Sequence, residues 1–159
     1  MKQIVSVGRL TYQKGFDMLI DVAKDVLEKN KEYKWLILGD GEDKNRLQEK
    51  INKYNLQDRL ILKGKVSNVE DYYKNSSLYV MTSRFEGLPM TLLEAKSYKM
   101  PIVSFDCPTG PSEIIRNNIN GYLVKANDIK EMSNKVNSVL LDDKKLKKFS
   151  DKAELDIDK

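Results

Sequence analysis

The sequence predicts an α/β fold: a doubly wound, Rossmann-like parallel sheet with helices on both faces, in a single domain. Three observations point there. Apolar runs of four to six residues alternate with longer amphipathic stretches along nearly the whole chain. The runs are continuously apolar, as strands buried on both faces must be. The connections between them are short, and strand–helix alternation with short loops leads to a parallel sheet flanked by helices.

Taken in order, Gln3–Val7 is the first strand. Gly15–Lys29 follows as a helix, with Phe16, Leu19, Ile20, Ala23, Val26 and Leu27 on one face. Lys34–Leu38 is the second strand and Glu42–Tyr54 a helix with Leu47, Ile51 and Tyr54 inward. Arg59–Lys63 is the third strand. Val69–Asn75 is a short helix, which Ser67 and Glu70 would open as a capping box. Leu78–Thr82 is the fourth strand and Pro89–Tyr98 the next helix, with Pro89 suited to a first helical position. Ile102–Phe105, the short helix Pro111–Asn117, the strand Gly121–Val124 and the helix Ile129–Leu141 complete the pattern. Residues 1–150 are expected to form the domain and 151–159 a polar tail. Trp35, Tyr72 and Tyr73 read as packing residues.

At 159 residues, with 40 % hydrophobic and 33 % charged content, the chain has the size and balance of one globular domain. No apolar run approaches the roughly 20 residues of a membrane span, and the apolar part of Met1–Gly8 is too short for a signal peptide. The single cysteine, Cys107, excludes an internal disulfide, fits a reducing compartment and reads as a packed thiol. There is no histidine, which removes the commonest general base, Ser–His dyads and His-ligated metal sites. The net charge of +4 is small and both signs are mixed. The basic run Lys144–Lys148 lies between acidic residues and reads as a solvated helical end. No aromatic residues interleave with it, so nucleic acid is not an expected partner.

Glu86 and Glu94 carry the most information. They bracket Glu86-Gly87-Leu88-Pro89-Met90-Thr91-Leu92-Leu93-Glu94, so Glu86 falls in a strand-to-helix loop and Glu94 on the helix after it. Both would lie near the carboxyl edge of the sheet, where open α/β folds bind ligands. The helix start favours an anion, whereas the carboxylates repel phosphate and suit sugar hydroxyls. A site for both suggests a sugar nucleotide. The same spacing also fits a solvated loop glutamate and an exposed helix glutamate.

Gly8-Arg9-Leu10-Thr11-Tyr12-Gln13-Lys14-Gly15 follows the first strand. Arg9 and Lys14 could converge on a diphosphate from one loop, with glycines at 8 and 15 allowing tight geometry. Two exposed surface cations would have the same spacing. The loop is not a Walker A sequence, because Lys14 precedes Gly15 and no Ser or Thr follows it. Gly39-Asp40-Gly41 begins like a dinucleotide fingerprint, but Lys44 stands where a third glycine belongs.

Together these stretches resemble the retaining glycosyltransferases of family 4, enzymes of the GT-B fold, over Val5 to about Leu141. The Glu86…Glu94 stretch resembles that family's Glu-x7-Glu motif, and Gly8-Arg9-Leu10…Lys14-Gly15 its diphosphate loop. The resemblance implies that Arg9 and Lys14 hold the donor diphosphate, Glu86 contacts hydroxyls of the donor sugar, and Glu94 contacts the ribose. It places Gly8, Gly87, Leu88 and Pro89 in the donor site, the Gly39–Gly41 turn at the nucleotide cleft, and Lys65 and Val66 near the base; an ordinary strand end fits Lys65 and Val66 equally. Gly110 and Glu113 match a further loop of the family, with contact to ligand or a helix-start role both open.

The resemblance covers only the donor-binding half of such enzymes. The N-terminal acceptor domain would be absent, and this chain alone would bind donor without completing transfer. The implied substrate is a UDP- or GDP-linked sugar, with no cofactor and no essential metal. The Asp156-Ile157-Asp158 triplet resembles a metal-binding motif but falls in the polar tail. The implied acceptor is a glycan or lipid-linked molecule in bacterial cell-surface polysaccharide synthesis. The full-length protein would be cytoplasmic or peripheral at the inner membrane face, without a membrane span. A glycosidase built on the two glutamates, a non-catalytic nucleotide-binding module and a GT-B epimerase or phosphorylase are the rival readings.

Overall fold

A computed structural model of the chain describes residues 2–86, 90–108 and 110–153. Its centre is a six-stranded, all-parallel sheet of order β3-β2-β1-β4-β5-β6. The strands are β1 (Lys2–Val7), β2 (Tyr33–Leu38), β3 (Leu60–Gly64), β4 (Leu78–Met81), β5 (Ile102–Asp106) and β6 (Gly121–Lys125). The helices are α1 (Phe16–Lys29), α2 (Lys44–Lys53), α3 (Val69–Lys74), α4 (Met90–Ser97), α5 (Pro111–Ile114), α6 (Ile129–Leu140) and α7 (Asp143–Lys152). This is the Rossmann-like, doubly wound fold that the alternating pattern predicts.

The period of two within each strand divides the core into two layers. Ile4, Trp35, Ile37, Val80, Val103 and Phe105 pack on one face against α1, α2, α6 and α7. Val5, Leu36, Leu38, Tyr79, Met81 and Ile102 pack on the other against α3, α4 and α5. Both faces are covered, so the strands are mostly apolar, and the polar Gln3, Ser6 and Ser104 within them are buried as well. Trp35, the only tryptophan, is fully buried, and its indole N–H donates to Ser6 Oγ at 3.1 Å.

One expectation needs correction and another is extended. Ser67 and Glu70 do not form a capping box. Helix α3 starts at Val69, so Asn68 is the N-cap and Ser67 lies outside it. Residue three beyond the cap is then Asp71, and it is Asp71 Oδ2 that accepts from Asn68 Nδ2 at 3.2 Å. The basic run at Lys144–Lys148 is more than a solvated end. It belongs to α7, whose Asp142 cap accepts from the amides of Lys144 and Lys145. Phe149 of this helix is fully buried and meets the Tyr122 ring edge-on at 5.2 Å.

Phe149→Ala would remove that anchor and leave a cavity where α7 meets β6. Urea denaturation should show a loss of about 3–5 kcal/mol, the usual range for a buried Phe truncation. A loss under about 1 kcal/mol, the level of most surface changes, would mean that α7 contributes little to the core.

Candidate functional site

β1 pairs with β2 on one side and β4 on the other, so the strand order reverses direction next to β1. Loops on either side of such a switch point diverge and leave a crevice at the carboxyl edge. A cleft of about 630 Å³ lies there. Val7, Gly8 and Arg9 from the end of β1, and Leu38 to Gly41 from the end of β2, form part of its wall. Lys65, Val66 and Val69 after β3 and Glu94 on α4 complete it.

The cleft thus gathers Gly8, Arg9, Lys65, Val66 and Glu94 from three separate segments. Arg9 and Glu94 are exposed, leaving both charges open to a ligand. The β1–α1 loop and the β2–α2 loop are bonded through their backbones, Leu10 N–H to Asp40 O at 3.1 Å and Asp43 N–H to Leu10 O at 2.9 Å. That approach leaves no room for a side chain at residue 39, where a Cβ would stand 1.9 Å from Gly8 O.

Lys14 and Glu86 stand beside this cleft as an ion pair. Lys14 Nζ donates to Glu86 Oε2 at 2.8 Å, and Ser83 Oγ donates to the same oxygen at 2.7 Å. The Glu86 side chain is 5 % exposed and that of Lys14 19 %. Lys14 reaches the cleft wall, because a Cβ placed on Gly8 would lie 3.2 Å from Lys14 Cδ. Gly87, Leu88 and Pro89, also expected in the site, lie outside the described residues. Glu113 lines a separate hollow with Ser112 and Arg116, away from this cleft.

Some site residues were not legible as such in the sequence. Tyr73, expected only to pack, is buried under Glu94 and its hydroxyl donates to Glu94 Oε2 at 3.3 Å. Tyr79 donates to Val7 O at 3.3 Å, below the other arm of the cleft. Burial above all pushes both phenols far up, so both remain donors at any working pH. Arg84 ties the two motif loops together and has no local signature in the sequence. Cys107 is buried as expected. Burial, and then the Glu86 carboxylate, push its thiol up to about 11, which keeps it in the unreactive protonated form.

The fold and the switch-point cleft define the class: a Rossmann-like domain of the kind that forms the C-terminal half of GT-B enzymes. The chain belongs to the glycosyl transferases group 1 family, whose model matches residues 1–156. It is 41 % identical over 151 residues to the amylovoran biosynthesis glycosyltransferase AmsD of Erwinia amylovora, covering 95 % of this chain and 42 % of that protein. A solved structure of a Staphylococcus aureus TarM variant, in complex with fondaparinux, alpha-GlcNAc-glycerol and UDP, superposes with a TM-score of 0.94 at 33 % identity. It covers 98 % of this chain and 32 % of the TarM chain. The C-terminal domain of a group 1 glycosyl transferase, LpcC of Francisella tularensis, has the same fold. Its TM-score is 0.90 at 24 % identity, over 98 % of this chain and 84 % of that one. The chain therefore spans less than half the length of AmsD and TarM.

The loop geometry predicts unequal costs for two glycines with left-handed backbone, Gly15 (φ 66°) and Gly64 (φ 80°). At Gly64 an added Cβ meets nothing within 4 Å, so Gly64→Ala should cost only the backbone strain, roughly 1–2 kcal/mol. At Gly15 the Cβ would stand 2.0 Å from Thr82 O, so Gly15→Ala should cost clearly more. Chemical denaturation of the two variants, if it gave equal losses, would contradict this packing of the β1–α1 loop against β4.

Proposed function

We propose that this chain is the donor-binding half of a retaining glycosyltransferase of family 4. The enzyme would move a sugar from a nucleoside diphosphate sugar to a glycan or lipid-linked acceptor in bacterial cell-surface polysaccharide synthesis. The carrying observation is the Lys14–Glu86 pair. It brings the diphosphate loop after β1 and the glutamate loop after β4 to one place, beside the cleft that holds Arg9 and Glu94.

On this reading Arg9 and Lys14 hold the diphosphate and stabilise the negative charge that grows on it as the glycosidic bond breaks. Lys14 is already oriented by Glu86, so little rearrangement is needed to present its ammonium. Glu86, fixed by Ser83 and Lys14, faces hydroxyls of the donor sugar. Glu94 accepts from the ribose hydroxyls, and Lys65 and Val66 flank the base. The protein's own cations take the part a metal plays in other transferases, so donor binding needs no divalent ion. The chain alone binds donor, while acceptor recognition and completed transfer need the rest of an enzyme of the relatives' length. The UDP in the TarM complex and the 33 % identity to that protein support a uridine nucleotide as the first ligand to test.

Calorimetric titration with UDP, GDP and ADP, in chelator and then with magnesium, tests the reading. Binding of one nucleotide at equal strength with and without the metal is the expected result; binding that appears only with magnesium would overturn the metal-independent site. Lys14→Ala should weaken nucleoside diphosphate binding by about 1–3 kcal/mol, the scale of a lost charge-assisted hydrogen bond. Because this variant also removes the Lys14–Glu86 ion pair, its melting curve should be recorded beside the titration. Glu94→Ala should weaken UDP but leave inorganic diphosphate nearly unchanged; equal losses for both would contradict a ribose role.

A further inference from the structure

Arg84 makes an extensive set of polar contacts near the cleft, and among the described residues these go to Tyr12, Gln13 and Asp17, outside the cleft lining. Its guanidinium donates to both carboxylate oxygens of Asp17, at 3.0 and 2.7 Å, and to Tyr12 O at 2.7 Å. Its Cζ stacks 3.8 Å from the centre of the Tyr12 ring. Its own amide donates to Gln13 O at 2.8 Å, and Gln13 Nε2 returns a bond to Phe85 O at 3.2 Å. These contacts join the 3-10 turn Tyr12–Lys14 and the first turn of α1 to the segment Arg84–Glu86.

Such a cluster has little to offer global stability. The Asp17 side chain is 45 % exposed, and an ion pair so open to water is worth a fraction of a kcal/mol. Its effect is geometric. The planar guanidinium satisfies a carboxylate and a carbonyl at fixed angles, so the turn ending at Lys14 is held in register with the turn that carries Glu86. Burial works against the charge on Asp17, but hydrogen bonding to Arg84 and its positive charge outweigh it and hold the carboxyl below its usual range.

We infer that Arg84 is a positioning residue: clamped to Asp17 and Tyr12, it holds Lys14 where the lysine can bind the diphosphate. This rests on the donor-site reading above. A different explanation is that Arg84 simply adds positive charge near an anion site. The two explanations predict opposite signs for Asp17→Ala. That change removes a negative charge, so attraction through space would tighten anion binding. It also releases the clamp, so loss of positioning would weaken it.

The test titrates the 159-residue chain with UDP and with inorganic diphosphate, and measures amide hydrogen exchange without ligand. Asp17→Ala and Arg84→Met are each expected to weaken both ligands by about tenfold, the scale of one charge-assisted hydrogen bond. The double variant should be no worse than either single one, since the pair acts as a unit. The amides of Lys14 and Arg84 should exchange faster in both variants, with those of β1 and β4 unchanged. Tighter or unaltered binding in Asp17→Ala would overturn the inference, as would unaltered exchange at Lys14 and Arg84. If Lys14→Ala also binds both ligands like the parent chain, it is the donor-site reading that fails; the exchange result still decides whether the clamp holds the loop.

Discussion

β1 lies inside the sheet, hydrogen-bonded to β2 on one side and to β4 on the other. Since all strands are parallel, the chain leaves each of them at the same edge. Two loops whose polar residues stand 72 positions apart in sequence are thereby brought within reach of one hydrogen bond, Lys14 to Glu86. Everything at the site depends on that topological constraint. The reversal of strand order opens the cleft, and the shared edge decides which residues face it.

The constraint brings the loops close; polar contacts then fix them. Thr82 Oγ1 donates to Gly15 O at 3.0 Å, and Ser83 and Lys14 converge on one oxygen of Glu86. On the opposite wall, the phenols of Tyr73 and Tyr79 reach up from the core to Glu94 and Val7. A buried polar group left without a partner costs about 1–3 kcal/mol. These hydroxyls rise from the core and find their partners at the site, so core packing and site geometry are linked.

The fold was legible because each strand is a short apolar run and each long helix has an apolar stripe; neither signal depends on distant residues. Boundaries moved by up to three residues, as at α5, which ends at Ile114 and not Asn117, while α3 begins at Val69 as expected but is capped by Asn68 in place of Ser67. Helix α7 was hidden because Leu146 and Phe149 are its only large apolar residues among many lysines. The pocket-lining Arg9 and Glu94 and the paired Lys14 and Glu86 could be picked out because they stand in recognisable local patterns with glycine and proline neighbours. Tyr73 and Arg84 could not. Their significance lies in partners 21 and 67 residues away, Glu94 and Asp17, and only the folded backbone brings those together.

The placement of Trp35 has an optical consequence. As the only tryptophan, it dominates the intrinsic emission, and its ring lies in the dry layer between the sheet and α1 and α2. The cleft is bordered by the opposite layer, with Leu38, Val66 and Val69. Its fluorescence therefore follows the cohesion of the folded sheet and is shielded from events at the cleft. The molecule carries a built-in gauge of its own integrity, against which a loss of ligand affinity in any variant can be separated from a loss of structure.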